Sequence, residues 1–291
     1  MPDVLIASCA AAAGKDEDEP LLVAALAARG VSAAPADWAD DGVDWGAAAA
    51  VVVRSTWDYA PRRDEFLAWA HRVADATALL NPAGVLAWNT DKRYLRELAG
   101  AGVPVVPTAW IEEPGDADPA LARWPGDVVV KPVVSAGARD TARFAPADRD
   151  GAHALAGRVL SGGRAVMVQP YLDRLDAEGE TGLVYVDGAF SHAFGKGALL
   201  AGGALGEGLY AEEEISARTA TPTQRDVGDR VLAWVADRTG ERPLYCRVDL
   251  VPGADGTTQV IEVELTEPSL FLTTDDGAAD RFAAAISARL G

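Results

Sequence analysis

The 291-residue sequence predicts a mixed fold, α/β at its start and α+β over the rest. Strand-like apolar runs alternate with helical patterns through residues 1–88, as in a parallel sheet with crossover helices. Beyond about residue 100 the strand-like runs follow one another between Gly, Asp and Pro. One pair flanks "DGAF", a hairpin signal, so these strands read as largely antiparallel.

"DVLIASCA" reads as a buried first strand. "EDEPLLVAALAARG" reads as a helix, with acids at its start, Pro20 in its first turn and Gly30 as its stop. "VSAAPADWAD" predicts a short second strand and "AAAAVVVRSTWDY" a third that ends in polar residues. "RRDEFLAWAHRVADAT" is helical, and "ALLNPAGVLAWNT" reads as a short strand and a loop. "DKRYLRELAGAG" predicts a further helix. "VPVVPTAWI" is extended, its prolines favouring an edge or linker, and "EEPGDADPALARWPG" is a polar loop with one helical turn. "DVVVKPVV", "RAVMVQPYL", "TGLVYVDGAFSHAFGKG", "PLYCRVDLVPG" and "TTQVIEVELTEPSL" are strand-like. "PTQRDVGDRVLAWVADRTG" and "DGAADRFAAAISARL" read as helices.

A net charge of −18 argues against general nucleic-acid binding and against an anionic membrane surface. No apolar run is long enough to span a membrane. "MPDVLIASCAAAAG" lacks the basic start of a signal peptide. With two cysteines, Cys9 and Cys246, and nothing arguing for their pairing, the expectation is the reducing cytoplasm.

"VIEVELTEPSLF" places Glu262 and Glu264 two apart on a strand, hence on one face, where like charges repel. "YCRVDLV" places Arg247 and Asp249 likewise, and "PGADG" between the runs reads as a turn. If the strands pair, Asp249, Glu262 and Glu264 share a face with Arg247. Three carboxylates form a hard-oxygen site of the kind Mg²⁺ prefers, leaving Arg247 free for phosphate or a developing anion. Lys131 ends an apolar strand before the small-residue loop "SAGA", with Ser135 and Gly137, and can reach nucleotide phosphates. Lys92 lies at a helix start after Asn89 and Thr90. Gln169, Pro170, Tyr171 and Leu172 form a connector whose backbone could pair with an adenine edge, with Glu178 or Glu180 near ribose hydroxyls. Arg54, Ser55, Thr56, Trp57, Asp58 and Tyr59 cluster at the end of a parallel strand, where α/β sheets bind ligands. There Arg54 or Ser55 is expected to bind a substrate carboxylate and Asp58 an ammonium. His192 and Lys196 alternate onto one face and are expected near the reacting group, and Ser269 near the substrate.

The order Lys92, Lys131 with its loop, "QPYL", then "RVD…EVE" resembles the ATP-grasp superfamily of carboxylate–amine ligases, which includes glutathione synthetase and D-alanine–D-alanine ligase. The runs "RSTWDY", "NPAGVLAWNTDK", "GETGLVYVDGAFSHAFGKG" and "EVELTEPSLF" resemble most the small bacterial ligases around D-cycloserine synthetase. The resemblance implies an ATP-grasp fold in three parts. These are a substrate-side α/β domain over 1–88, a central lid over 89–168 (the closing part being 108–168) and a C-terminal catalytic domain over 169–291.

It also implies that Lys92 and Lys131 contact ATP, that 169–172 form the adenine hinge with Glu180 by the ribose, and that Asp249, Glu262 and Glu264 hold two Mg²⁺ ions. Arg247 would steady an acyl-phosphate. Many relatives carry Asn where this chain has Glu264, and the loop after Lys131 is poor in glycine, so Arg139 is expected to supply charge there. The implied activity is ATP-dependent amide formation through an acyl-phosphate on amino-acid-like substrates. It either joins two molecules or cyclises one, as D-cycloserine synthetase does with O-ureido-D-serine in antibiotic biosynthesis. The alternatives are an ATP-grasp kinase and a nucleotide-binding protein without activity. A homodimer is compatible with the resemblance.

Overall fold

The computed structural model describes residues 1–197 and 214–290. Its first sheet is parallel. It is built from β1 (Val4–Ser8), β2 (Ala33–Asp37), β3 (Ala50–Ser55) and β4 (Ala78–Leu80) in the order β2-β1-β3-β4. β1 and β3 are buried along their whole length, which accounts for their unbroken apolar runs. Helices Asp18–Ala28 and Arg63–Ala76 supply the crossovers.

The second sheet is antiparallel, with β5 (Ala109–Ile111), β6 (Val128–Pro132), β7 (Ala142–Phe144) and β8 (Val166–Pro170) in the order β5-β8-β6-β7. β5 lies at an edge, as its flanking prolines require. The third sheet is also antiparallel. It contains β9 (Glu180–Val186), β10 (Ala189–Lys196), β11 (Ile215–Ala217), β12 (Tyr245–Pro252) and β13 (Thr258–Glu264), ordered β11-β10-β9-β12-β13.

The first and third sheets share a core. Val4, Ile6 and Leu22 pack in one cluster with Val184, Phe194, Tyr245 and Phe282 of the closing helix Ala278–Ser287. Burying one such ring contributes about 2–3 kcal/mol. Asn81 fixes the junction. It adopts a left-handed conformation at φ 64°, which Asn tolerates. Its side chain donates to the carbonyls of Tyr245 and Leu265 and accepts from the Leu244 amide. The second sheet has a core of its own, including Ile111, Val128, Val130, Leu155 and Val166.

Two local expectations need correction. Residues after Pro82 form a helix, Ala83–Asn89, rather than a loop. Pro82 starts it, and Leu86 and Val85 bury one face. A helix over Arg149–Ser161 also covers the second sheet, where the sequence suggested no element. Its apolar stripe is carried largely by Ala152, Ala156 and Leu155, and an alanine-rich stripe is a weak periodic signal.

Candidate functional site

A cavity of about 860 Å³ opens between the second and third sheets and reaches the loop after β1. β12 and β13 pair as their spacing predicts, with Arg247 opposite Glu264 and Asp249 opposite Glu262. The carboxylates do not face one another bare. Glu262 Oε1 lies 3.0 Å from Lys92 Nζ. Arg247 donates through Nε and Nη2 to the two oxygens of Asp249 at 2.9 and 2.8 Å, and through Nη2 to Glu264 as well. Its Nη1 donates to the Ser269 carbonyl at 2.9 Å. Lys196 Nζ lies 3.4 Å from Asp249 and 3.5 Å from Glu180.

Burial opposes charge at all these groups, and local partners decide the outcome. Lys92 is held above the usual lysine range because Glu262 outweighs its burial. Lys131 is pushed down, first by burial and then by Lys92 and Lys196, and forms no ion pair among the described residues. Glu262 is held low by Lys92 and Lys131, and Asp249 by Arg247 and Lys196. Glu264 is pushed up to about 7 by burial and by its neighbours Glu262 and Asp249. Glu267 is pushed up to about 8 by burial and by Glu264.

Lys92, Lys131, Ser135, Gly137, Gln169, Pro170, Tyr171, Leu172, Glu180, Lys196, Arg247, Glu262, Glu264 and Ser269 all line this one cavity. Lys92 is anchored by its own amide, which donates to the Val133 carbonyl at 2.9 Å, and by Nζ, which donates to the Ser135 carbonyl at 2.8 Å. The lysine is thereby tied to the loop that follows Lys131. Glycine is required where β9 begins. Gly179 has φ 66°, and a Cβ there would come within 2.4 Å of the Lys196 carbonyl oxygen. At Gly182 a Cβ would lie 2.2 Å from the Phe194 ring.

Several expected residues lie elsewhere. Arg54 is 1% exposed and serves the interior. It donates to the Pro268 carbonyl at 2.7 Å and to Asp18 Oδ2 at 3.1 Å. Asp18 in turn accepts from the amides of Leu270, Phe271 and Leu272. Ser55 is buried against the Ser8 hydroxyl, and Thr56 and Tyr59 are also buried. Asp58 accepts from the Trp38 indole at 2.8 Å. Of "RSTWDY", only Trp57 reaches the cavity wall. His192 is buried, its Nε2 2.8 Å from the Leu270 carbonyl, and burial lowers its pKa. Asp249 is 1% exposed, behind Arg247 and Lys196 and off the wall. For Arg54, Ser55, Asp58, His192 and Asp249 a nearer partner inside the protein takes up the polar group.

The sequence reading missed Glu267, which lines the cavity and accepts the Trp57 indole N–H at its carbonyl at 3.1 Å. It follows the strand, outside the alternation that exposed Glu262 and Glu264.

The donor set fits a hard divalent cation. Glu262 and Glu264 share one wall, and Glu264 resists ionisation without added positive charge. Among the described residues no three such groups converge on a ready-made ion position. Lys92 and Arg247 hold the carboxylates instead.

Comparison with known proteins agrees with this architecture. Residues 4–81 match the family described as "D-cycloserine synthetase DcsG, N-terminal domain". The chain is 41% identical over 286 residues to the cycloserine biosynthesis protein DcsG of Streptomyces lavendulae, covering 94% of each. The crystal structure of D-cycloserine synthetase DcsG superposes with a TM-score of 0.93 at 37% identity, over 99% of both chains. The ATP-grasp ligase PsnB, solved with a precursor variant, Mg and ADP, shares the fold with a TM-score of 0.65 at 21% identity, over 100% of this chain and 99% of that one. The chain therefore belongs to the D-cycloserine synthetase DcsG family and is an ATP-grasp ligase.

Proposed function

We propose that this protein phosphorylates the carboxylate of a small amino acid with ATP and then closes an amide within the same molecule, as the name of its D-cycloserine synthetase relative suggests. One observation carries the reading. Four cationic side chains (Lys92, Lys131, Lys196 and Arg247) meet Glu262 and Glu264 on the wall of a single cavity. That is the charge pattern phosphoryl transfer needs.

In this reading β8 and its connector, Gln169 to Leu172, hold the adenine, and Glu180 lies by the ribose. Lys92 and Lys131 take the phosphates, the loop around Ser135 and Gly137 cradling them. Glu262 and Glu264 would hold Mg²⁺, two ions in the full site, and the metal would supply positive charge against the phosphates. Asp249 acts from behind by fixing Arg247 and Lys196. Arg247, tied also to the Ser269 carbonyl, steadies the carbonyl oxygen as negative charge develops on it. The carboxylate oxygen bonds to the γ-phosphorus as the bond to ADP breaks. The substrate nitrogen then bonds to the carbonyl carbon, phosphate departs, and the nitrogen's proton leaves with it. An acyl-phosphate hydrolyses in water, so the part over 108–168 is assigned the role of lid within a central region spanning 89–168. Residues 1–88 are assigned to the substrate side and 169–291 to catalysis.

The test is incubation with Mg-ATP and O-ureido-D-serine, alongside a pool of other amino acids. ADP and phosphate in equal amounts, with D-cycloserine and the ureido carbamoyl group released on hydrolysis as carbon dioxide and ammonia, support the reading. A stable phosphorylated product would indicate a kinase instead.

A further inference from the structure

Each carboxylate around Lys92 has a cation except one. Glu262 pairs with Lys92, and Glu264 and Asp249 share Arg247. Glu267 forms no ion pair among the described residues. Glu267 is on the cavity wall, and the phenol of Tyr59, itself 2% exposed, lies near enough to act on its carboxyl. The Trp57 indole fixes the same residue's carbonyl, and Arg54 fixes that of Pro268 beside it. A carboxylate held this firmly, with like charges near and no cation, is costly unless a cation arrives with a ligand.

Glu267 lines the same cavity as Lys92, Glu262 and Glu264, the groups assigned to phosphate and metal, and follows Glu264 by three residues. In an α-amino acid the ammonium is one carbon from the carboxylate. An acid next to the phosphorylation centre is therefore placed for the ammonium of the very molecule being activated. We infer that Glu267, its backbone anchored by Trp57, binds the α-ammonium of the substrate whose carboxylate is phosphorylated, and so selects an α-amino acid over an acid lacking the amine. This rests on the ligase reading above. It gives "RSTWDY" an indirect role, holding the recognising carboxylate rather than touching substrate with Arg54 or Asp58.

The experiment compares O-ureido-D-serine with the same molecule lacking its α-amine, in the wild type, Glu267→Gln, Tyr59→Phe and Asp16→Asn. Asp16 is the competing carboxylate. It lines the same cavity, and its Oδ2 is buried without a hydrogen-bond partner. The expected result is that Glu267→Gln lowers kcat/KM for the amino acid about 100-fold, as for loss of a charge-assisted bond. Turnover of the amine-free analogue should hardly change. Affinity for Mg–AMP-PNP should be kept, and Tyr59→Phe should show the same pattern about tenfold weaker. The inference is overturned if Glu267→Gln discriminates like the wild type, if Asp16→Asn alone loses discrimination, or if Glu267→Gln loses Mg–AMP-PNP affinity, which would make Glu267 a metal ligand. A wild type inactive on both compounds removes the ligase reading itself, and this inference with it.

Discussion

Lys92 Nζ stands 3.0 Å from Glu262 Oε1, so the cation assigned to phosphate neutralises the carboxylate assigned to metal. Nucleotide and metal must enter together to replace both halves of this pair. ATP alone would strip Lys92 from Glu262 and leave a crowded carboxylate exposed to phosphate.

Nucleotide affinity should therefore depend steeply on magnesium. Glu262→Gln should abolish turnover and flatten that dependence, while metal-free ATP binds the variant as well as, or better than, the wild type. Calorimetric titration with ATP, with and without Mg²⁺, reads this directly. The variant should stay folded, because Lys92 keeps its bond to the Ser135 carbonyl.

Stability should fall with rising pH near neutrality. Glu264 and Glu267 have folded pKa values of about 7 and about 8, above the ordinary 4.5. The folded state thus holds protons the unfolded state has lost, and stability declines as pH rises from 4.5 through these values, then levels off. His192, lowered from 6.5, works the other way below that pH, so the decline is cleanest between about 7 and about 8. Mg–ADP supplies positive charge beside Glu264 and should reduce the slope, leaving the part that Glu267 contributes. Thermal unfolding across this range, with and without Mg–ADP, checks both statements. Glu267→Gln should flatten the ligand-free curve.

Arg54→Met should act on folding first. Removing it leaves Asp18 buried without its cation, a loss of about 3–5 kcal/mol. Denaturant unfolding should show that loss, and any activity that survives should keep a near-normal KM.

Asn81→Ala should cost about 3 kcal/mol. It deletes three buried hydrogen bonds and puts alanine at a left-handed backbone position. The midpoint in urea should shift down accordingly.

The paired acids of β12 and β13 were legible because a strand's alternation makes i and i+2 neighbours, and the turn between them was plain. Lys92 and Lys131 were legible as ends of elements, though nothing in the sequence said that the Lys92 ammonium would meet the loop after Lys131. The "RSTWDY" cluster misled. Its position at a strand end is where ligands bind, but Arg54 and Asp58 are consumed by Asp18, Pro268 and Trp38, which are distant in sequence or on another element. Asp18 looked like an acid at a helix start, yet it caps three amides some 250 residues away, a bond no local pattern announces. Glu267 was hidden for the same reason, since Trp57, which anchors its backbone, is distant in sequence.

The central claim is that the substrate's carboxylate takes the γ-phosphoryl group. It is tested most directly by labelling that carboxylate with heavy oxygen, supplying Mg-ATP and O-ureido-D-serine, and weighing the phosphate released. ADP should form, and the phosphate should carry one labelled oxygen per turnover. AMP with pyrophosphate, or ADP with unlabelled phosphate, would contradict it.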